Sequence, residues 1–311
     1  MTALLAALLA GTPAAWGQAF PAKPIELIIP FGAGGSADIE GRIIAKAAEK
    51  ILGVPVVPIN KPGAGGALAY THVKGAAPDG YTVAWNSTSL LTTSNIGTLA
   101  FPWDALDHVA RVSTQAMPLA VRADAPWKTF QDFVAHARAN PGKVRIGNAG
   151  HGSGTHFAAL AVTEATDIKV IHAPLGSGKR VASLLRGEVE MISVPTPEIA
   201  AQVRAGEVRI LAVPSEAPDP AFPGVPTLRQ AGVPVAMELF RGLSVPKGTP
   251  AAVIQKLAEA FGKAAQDESF KEAGVKGGYL VGVQGPAEFR KYLAEQNAFI
   301  ADLVKKAGLK K

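Results

Sequence analysis

The chain has 311 residues, a formal net charge of +6, 48% hydrophobic and 18% charged residues, and no cysteine. The missing cysteines exclude disulfides, thiolate catalysis and Cys-ligated metals together. Its basic residues are scattered among only 4 Trp and 4 Tyr, which excludes a nucleic-acid surface of interleaved cations and aromatics and leaves a general attraction for small anions.

Residues 1–19 carry no charged side chain and run from an Ala/Leu stretch through Gly11 and Pro13 to small residues at Gly17 and Ala19. That order predicts a secretory signal cut before Phe20. Its opening lacks the usual Lys or Arg, as expected of a leader truncated at its start. Beyond it, apolar runs such as 25–30 and 208–213 are strand-length, far short of the roughly 20 residues of a spanning helix.

Ile25–Ile29 is a short, β-branched apolar run followed by glycines at 32–35 and an amphipathic stretch over Ser36–Leu52, a pattern that predicts strand, tight loop and helix. Further strands are predicted at 54–59, 81–86, 119–122, 144–147, 169–173, 191–194 and 208–213, with helices at 129–139, 179–186 and 197–205. Repeated β-loop-α units call for mostly parallel sheets flanked by helices. Glycine-rich strand-to-helix loops occur twice, at 31–38 and 147–156, which argues for two lobes. Long helices at 251–267 and 286–307, with a strand at 279–283 between them, read as a return to the first lobe. The expected division is 20–120 with 242–311 as lobe 1 and 121–241 as lobe 2, with hinge crossings near 119–122 and 240–243.

Phe31-Gly-Ala-Gly-Gly-Ser-Ala-Asp38 is the most informative stretch. Glycines after a strand let backbone amides converge at a helix N-terminus, where free N–H groups and the dipole favour an anion. Gly32-x-Gly34-x-x-Ala37 also fits the dinucleotide fingerprint, so an NADP-dependent oxidoreductase is the alternative reading. The acidic residue that such a site wants on the next strand is replaced by Asn60-Lys61.

Gly150-His-Gly-Ser-Gly-Thr-His156 is a second loop of the same kind. It fails as a nucleophile elbow, because His151 stands where a glycine is required. His151 and His156 lie five apart without a zinc-binding pattern, so no metal site is expected. Pro174-Leu-Gly-Ser-Gly-Lys-Arg180 fails as a phosphate loop at Ala173 and Arg180. Lys179 and Arg180 are either solvated surface charge or cations at a helix start, where the dipole disfavours them without an anion nearby.

In their order these motifs resemble the Bug family, the extracytoplasmic solute receptors of tripartite tricarboxylate transporters. Residues 31–38 are similar to the family's F-x-P-G-G-x-x-D loop, Asn60-Lys-Pro-Gly-Ala-Gly-Gly66 to N-R-P-G-A-G-G, and Ala77-Pro-Asp-Gly-Tyr-Thr82 to A-x-D-G-Y-T. Later matches fall at 140–143, 150–156, 184–191, 225–228 and 246–250, so the resemblance spans essentially 20–311.

The resemblance implies a two-lobed class II periplasmic-binding-protein fold that closes on a small carboxylate, catalyses nothing, and needs no cofactor. It implies a periplasmic monomer that hands its ligand to integral-membrane transporter subunits. Carried over residue by residue, Phe31, Ala33, Gly34, Gly35, Ser36 and Asp38 would shape the first wall, beside Asn86, Ser87 and Thr88. Ser153, Gly154, Thr155 and His156 would form the facing wall, with Ser177 and Thr196 completing the cleft. Ala33 stands in place of the family's usual Pro, Leu175 in place of an aromatic, and Arg180 in place of a Pro or an acid. These departures lie at the expected cleft and point to a more basic, less aromatic wall suited to dicarboxylates or another anion.

Overall fold

The computed structural model describes residues 20–309; the expected leader, 1–19, lies outside them. Four strands open a first sheet: β1 (Ile25–Ile29), β2 (Val56–Asn60), β3 (Thr82–Ser87) and β4 (Leu106–Gln115). Five more form a second: β5 (Leu119–Arg122), β6 (Arg145–Asn148), β7 (Ile171–Pro174), β8 (Met191–Ser193) and β9 (Val208–Ala212). The chain then returns to the first sheet with β10 (Leu239–Pro246) and β11 (Tyr279–Gln284). Spatial order is β11-β4-β10-β3-β1-β2 in the first sheet and β7-β6-β8-β5-β9 in the second.

Each sheet is mixed. The β-loop-α units give the expected parallel pairs β2-β1-β3 and β7-β6-β8. The strands next to the crossings, β4, β5 and β10, pair antiparallel with their neighbours. Crossings between the sheets fall at 116–118 and within 213–238, so 119–122 and 240–243 are themselves strand.

Among the described residues, ten α-helices cover the sheets. Those of the first pass are α1 (Ser36–Leu52), α2 (Ala67–Lys74), α3 (Ser89–Asn95), α4 (Phe130–Ala139) and α5 (Gly154–Thr166). They are followed by α6 (Arg180–Leu185), α7 (Thr196–Arg204), α8 (Ala251–Ala265), α9 (Glu268–Gly277) and α10 (Pro286–Lys306). The single helix expected over 251–267 is thus followed by a separate α9, because Asp267 accepts from the Ser269 amide and starts a new helix there. Thr129 starts α4 through a reciprocal capping box with Asp132.

Leu27, Ile28 and Ile29 are fully buried, as a strand with a neighbour on each side and helices on both faces requires. The inner face of α1 packs Ala37, Ile44 and Ala48 against Trp85 of β3 in the core of the first sheet. The second core is not confined to one lobe. Phe289, Leu293, Ile300 and Leu303 of α10 join Met117, Phe157, Val162 and Met237 in one apolar cluster.

Candidate functional site

The N-terminus of α1 faces α7 from the other lobe. Gly35 caps α1 in an extended conformation with no side-chain hydrogen bond, so the first amides of the helix depend on other partners. The Ser36 amide donates to Oε1 of Glu198, 162 residues away, at 2.9 Å. Nη2 of Arg180 donates to the same oxygen at 2.6 Å. Both side chains of that ion pair are nearly sealed from solvent, at 1% exposure for Arg180 and 3% for Glu198. Arg180 is therefore no solvated surface charge: it lies at the start of α6, and the anion that compensates it there is Glu198.

A second guanidinium arrives from the first sheet. Arg241 on β10 donates from Nη2 to the Ser36 hydroxyl at 2.7 Å and from Nε to Glu40 at 3.4 Å. Glu40 is fully buried and accepts from Gln115 at 2.8 Å and Ser113 at 3.2 Å. Burial pushes the Glu40 carboxyl up despite the opposing pull of Arg241, Gln115 and Ser113. Among the described residues, Nη1 of Arg241, Nε of Arg180 and Oε2 of Glu198 have no hydrogen-bond partner. Buried polar atoms in that condition are costly, and their concentration in one place marks a site for something polar.

The facing wall is the second glycine loop. Ser153 caps α5 by accepting from the His156 amide at 3.2 Å. Thr155 Oγ1 accepts from the Ala149 amide at 3.0 Å and from Nη1 of Arg180 at 3.1 Å. Where the lobes meet, side chains are left out. A Cβ on Gly178, at φ +78°, would stand 2.8 Å from the Ala33 carbonyl oxygen, and φ in that region favours glycine in any case.

Two adjoining cavities lie between the walls. The inner one, about 10 Å³, is lined by Ser36, Ser87, Ser153, Thr155, Arg180 and Arg241 and is about the size of one water. The outer one, about 530 Å³, is lined by Phe31, Pro62, Gly65, His151, Leu175 and Lys179. Phe31, Ala149 and Ser177 belong to both. The outer volume suits a small organic ligand.

Of the residues expected from sequence, Phe31, Ser36, Ser87, Ser153, Gly154, Thr155 and Ser177 line the inner cavity. The others line neither cavity. Asp38 turns back into its own loop, accepting from the Gly34 amide, Arg42 and Asn60; burial opposes its charge, but those bonds and Arg42 hold its carboxyl below the usual value. Asn86 donates to Ser244 within the sheet at 2.8 Å, and Thr88 holds the entry to β10 through Glu238 and Phe240. His156 accepts from the Gly152 amide at 3.3 Å, and its burial beside His172 and His151 lowers its pKa to about 3. Thr196 donates to Asp219, away from the cleft. Ala33, Gly34 and Gly35 shape the approach of the lobes; a Cβ on Gly35 would stand 2.7 Å from that of Ser177.

Arg241, Glu40 and Glu198 have no signature in the sequence. The one available hint was Arg180, a cation at a helix start with no anion in its own loop.

Two α/β lobes joined by two crossings, with a cleft between them lined by helix N-termini and buried guanidiniums, define a solute-binding protein. The sequence profile of the tripartite tricarboxylate transporter family receptors matches residues 41–309. The chain is 35% identical over 308 residues to a Cupriavidus necator protein of the gbd 5′ region, covering 97% of this chain and 93% of that one. It is 30% identical over 298 residues to BugT of Bordetella pertussis, covering 94% and 91%. Among solved structures, MatC of Rhodopseudomonas palustris with bound malate superposes with a TM-score of 0.87 at 27% identity, over 92% of this chain and 100% of that one. The chain belongs to the tripartite tricarboxylate transporter receptor family, the Bug proteins, and has their periplasmic-binding-protein fold. It is accordingly a solute-binding protein and not an enzyme. The nucleotide alternative finds no support: the family profile and the solved structure both match solute receptors.

Proposed function

We propose that this chain captures a small dicarboxylate in the cleft and delivers it, as a periplasmic monomer, to the membrane subunits of a tripartite transporter. One carboxylate sits at the α1 N-terminus between Arg241 of lobe 1 and Arg180 of lobe 2, touching Ser36, Ser87, Ser153 and Thr155. The rest of the ligand extends past Phe31 and Ser177 into the outer cavity, where Lys179 meets the second charge. Lobe 1 comprises 20–120 and 242–311 and lobe 2 comprises 121–241, with closure at the two crossings between the sheets.

The observation that carries this reading is the Ser36 amide, which already holds a carboxylate oxygen at 2.9 Å, as an open helix N-terminus favours. The malate bound to MatC belongs to the same chemical class. Among the described residues no helix is long and apolar enough to cross a membrane. Isothermal titration with malate, succinate, longer dicarboxylates, benzoate and neutral sugars tests the proposal. A C4–C6 dicarboxylate is expected to bind best, and a preference for a neutral ligand sinks it.

A further inference from the structure

We infer that Glu198 is a tethered competitor for the ligand: it latches the clamp by occupying the carboxylate position at the α1 N-terminus, and the incoming ligand must displace it. The inference deepens the proposed function and rests on it for the identity of the site. Glu198 belongs to α7 of the second lobe, yet its Oε1 takes the Ser36 amide of the first lobe and Arg180 of its own. One oxygen thus joins the lobes across the cleft, in the place and with the partners that a ligand carboxylate would have.

A second observation points the same way. Arg241 is 1% exposed, lines the inner cavity, and keeps Nη1 without a partner among the described residues. Glu198 satisfies the helix N-terminus and Arg180 but leaves this third donor unused, and its own Oε2 is unpaired. A free carboxylate, not fixed to α7, has the freedom to engage the amide and both guanidiniums. The inner cavity of about 10 Å³ is too small for a carboxylate to enter beside Glu198, so binding there requires exchange of one carboxylate for another.

A competitor of this kind lowers apparent affinity by the fraction of molecules it occupies. It also discriminates, since only a ligand that supplies an anion can take over the Ser36 amide and Arg180 without leaving a buried cation unpaired.

The chain lacks cysteine, so cysteines introduced at Lys46 and Lys169, one on each lobe, carry a spin-label pair that reports inter-lobe distance. In the parent the ligand-free distance is expected to be short. Glu198→Gln keeps the shape and removes the charge; it is expected to lengthen the ligand-free distance and to tighten malate or succinate binding about tenfold or more. Because that change leaves Arg180 without its anion, Arg180→Gln/Glu198→Gln provides a charge-balanced control, expected to lengthen the distance likewise. A ligand-free distance that is already long in the parent, or unchanged in both variants, overturns the latch. Weaker or unaltered dicarboxylate binding in Glu198→Gln overturns the competition. If the distance lengthens as expected but neither protein binds any carboxylate, the proposed function fails while the latch stands.

Discussion

Gly65 and His151 bring the two lobes into contact: a Cβ on Gly65 would stand 2.4 Å from the His151 carbonyl oxygen. Nearby, Thr92 donates to the Gly152 carbonyl oxygen at 2.5 Å. The loops that wall the cleft on each side therefore meet backbone to backbone. Gly65→Ala is expected to leave each lobe folded but to hold them apart, lowering malate affinity about tenfold or more. Titration calorimetry measures the affinity, and small-angle scattering checks that the ligand-bound form stays extended.

Arg241 serves two buried anions, Glu40 directly and the ligand by proposal. Arg241→Gln strands the Glu40 carboxylate in the core, and breaking such a pair costs about 3–5 kcal/mol of stability. Pairing it with Glu40→Gln is expected to recover most of that loss in urea denaturation without restoring dicarboxylate binding. Recovery of binding in the double variant would show that Arg241 acts only as a structural partner of Glu40.

His108 lies in β4 with Nδ1 at 2.9 Å from the Ser244 hydroxyl. Burial, then the positive charge of Arg290, lowers its pKa to about 3. Unfolded, it titrates near 6.5, so between these values the unfolded chain binds the extra proton. Stability is fully present above about pH 6.5 and falls as pH drops toward 3, by at most about 1.4 kcal/mol per unit for this group. His156, also lowered to about 3, adds with the same sign. Between pH 5 and 7 the buried carboxyls of Glu40, Asp219 and Glu238, raised by burial, act with the opposite sign, so the His108 share is read as the change in slope that His108→Gln produces in parallel denaturation series.

Thr129 and Asp132 close a capping box at the start of α4. Thr129→Ala removes one of its two arms and is expected to lower stability by about 1 kcal/mol with no change in malate affinity, since α4 lies away from the cleft. Parallel thermal melts and titrations check both halves of that statement.

Much of the β-loop-α framework is written locally, which is why β1, its glycine loop and α1 can be read from residues 25–52 alone. Strands β4 and β10 are not. Asp107, His108 and Arg111 interrupt the apolar pattern of the first, and Arg241, Gly242 and Ser244 that of the second. Their polar side chains are accommodated by partners that only the fold supplies: Lys247 and the Gly248 amide for Asp107, Ser244 for His108, Glu40 for Arg241.

The same distinction holds in the cleft. Glycines and hydroxyls at 31–38 and 150–156 announce loops with free amides, whereas Arg241 meets Glu40 across 201 residues and Arg180 meets Glu198 across 18. Nothing local marks such charges as buried. Ser36 was legible as a loop residue, but its partner on α7 was not.

Strand β10 lies between β3 and β4, although it is made more than a hundred residues after either. The first sheet therefore has a gap at its centre until residues 239–246 have emerged, and no earlier portion of the chain can complete it. Contacts so distant in sequence form slowly. A polypeptide wired in this way stays loose through most of its synthesis and acquires its final shape only once residues 239–246 have joined the sheet.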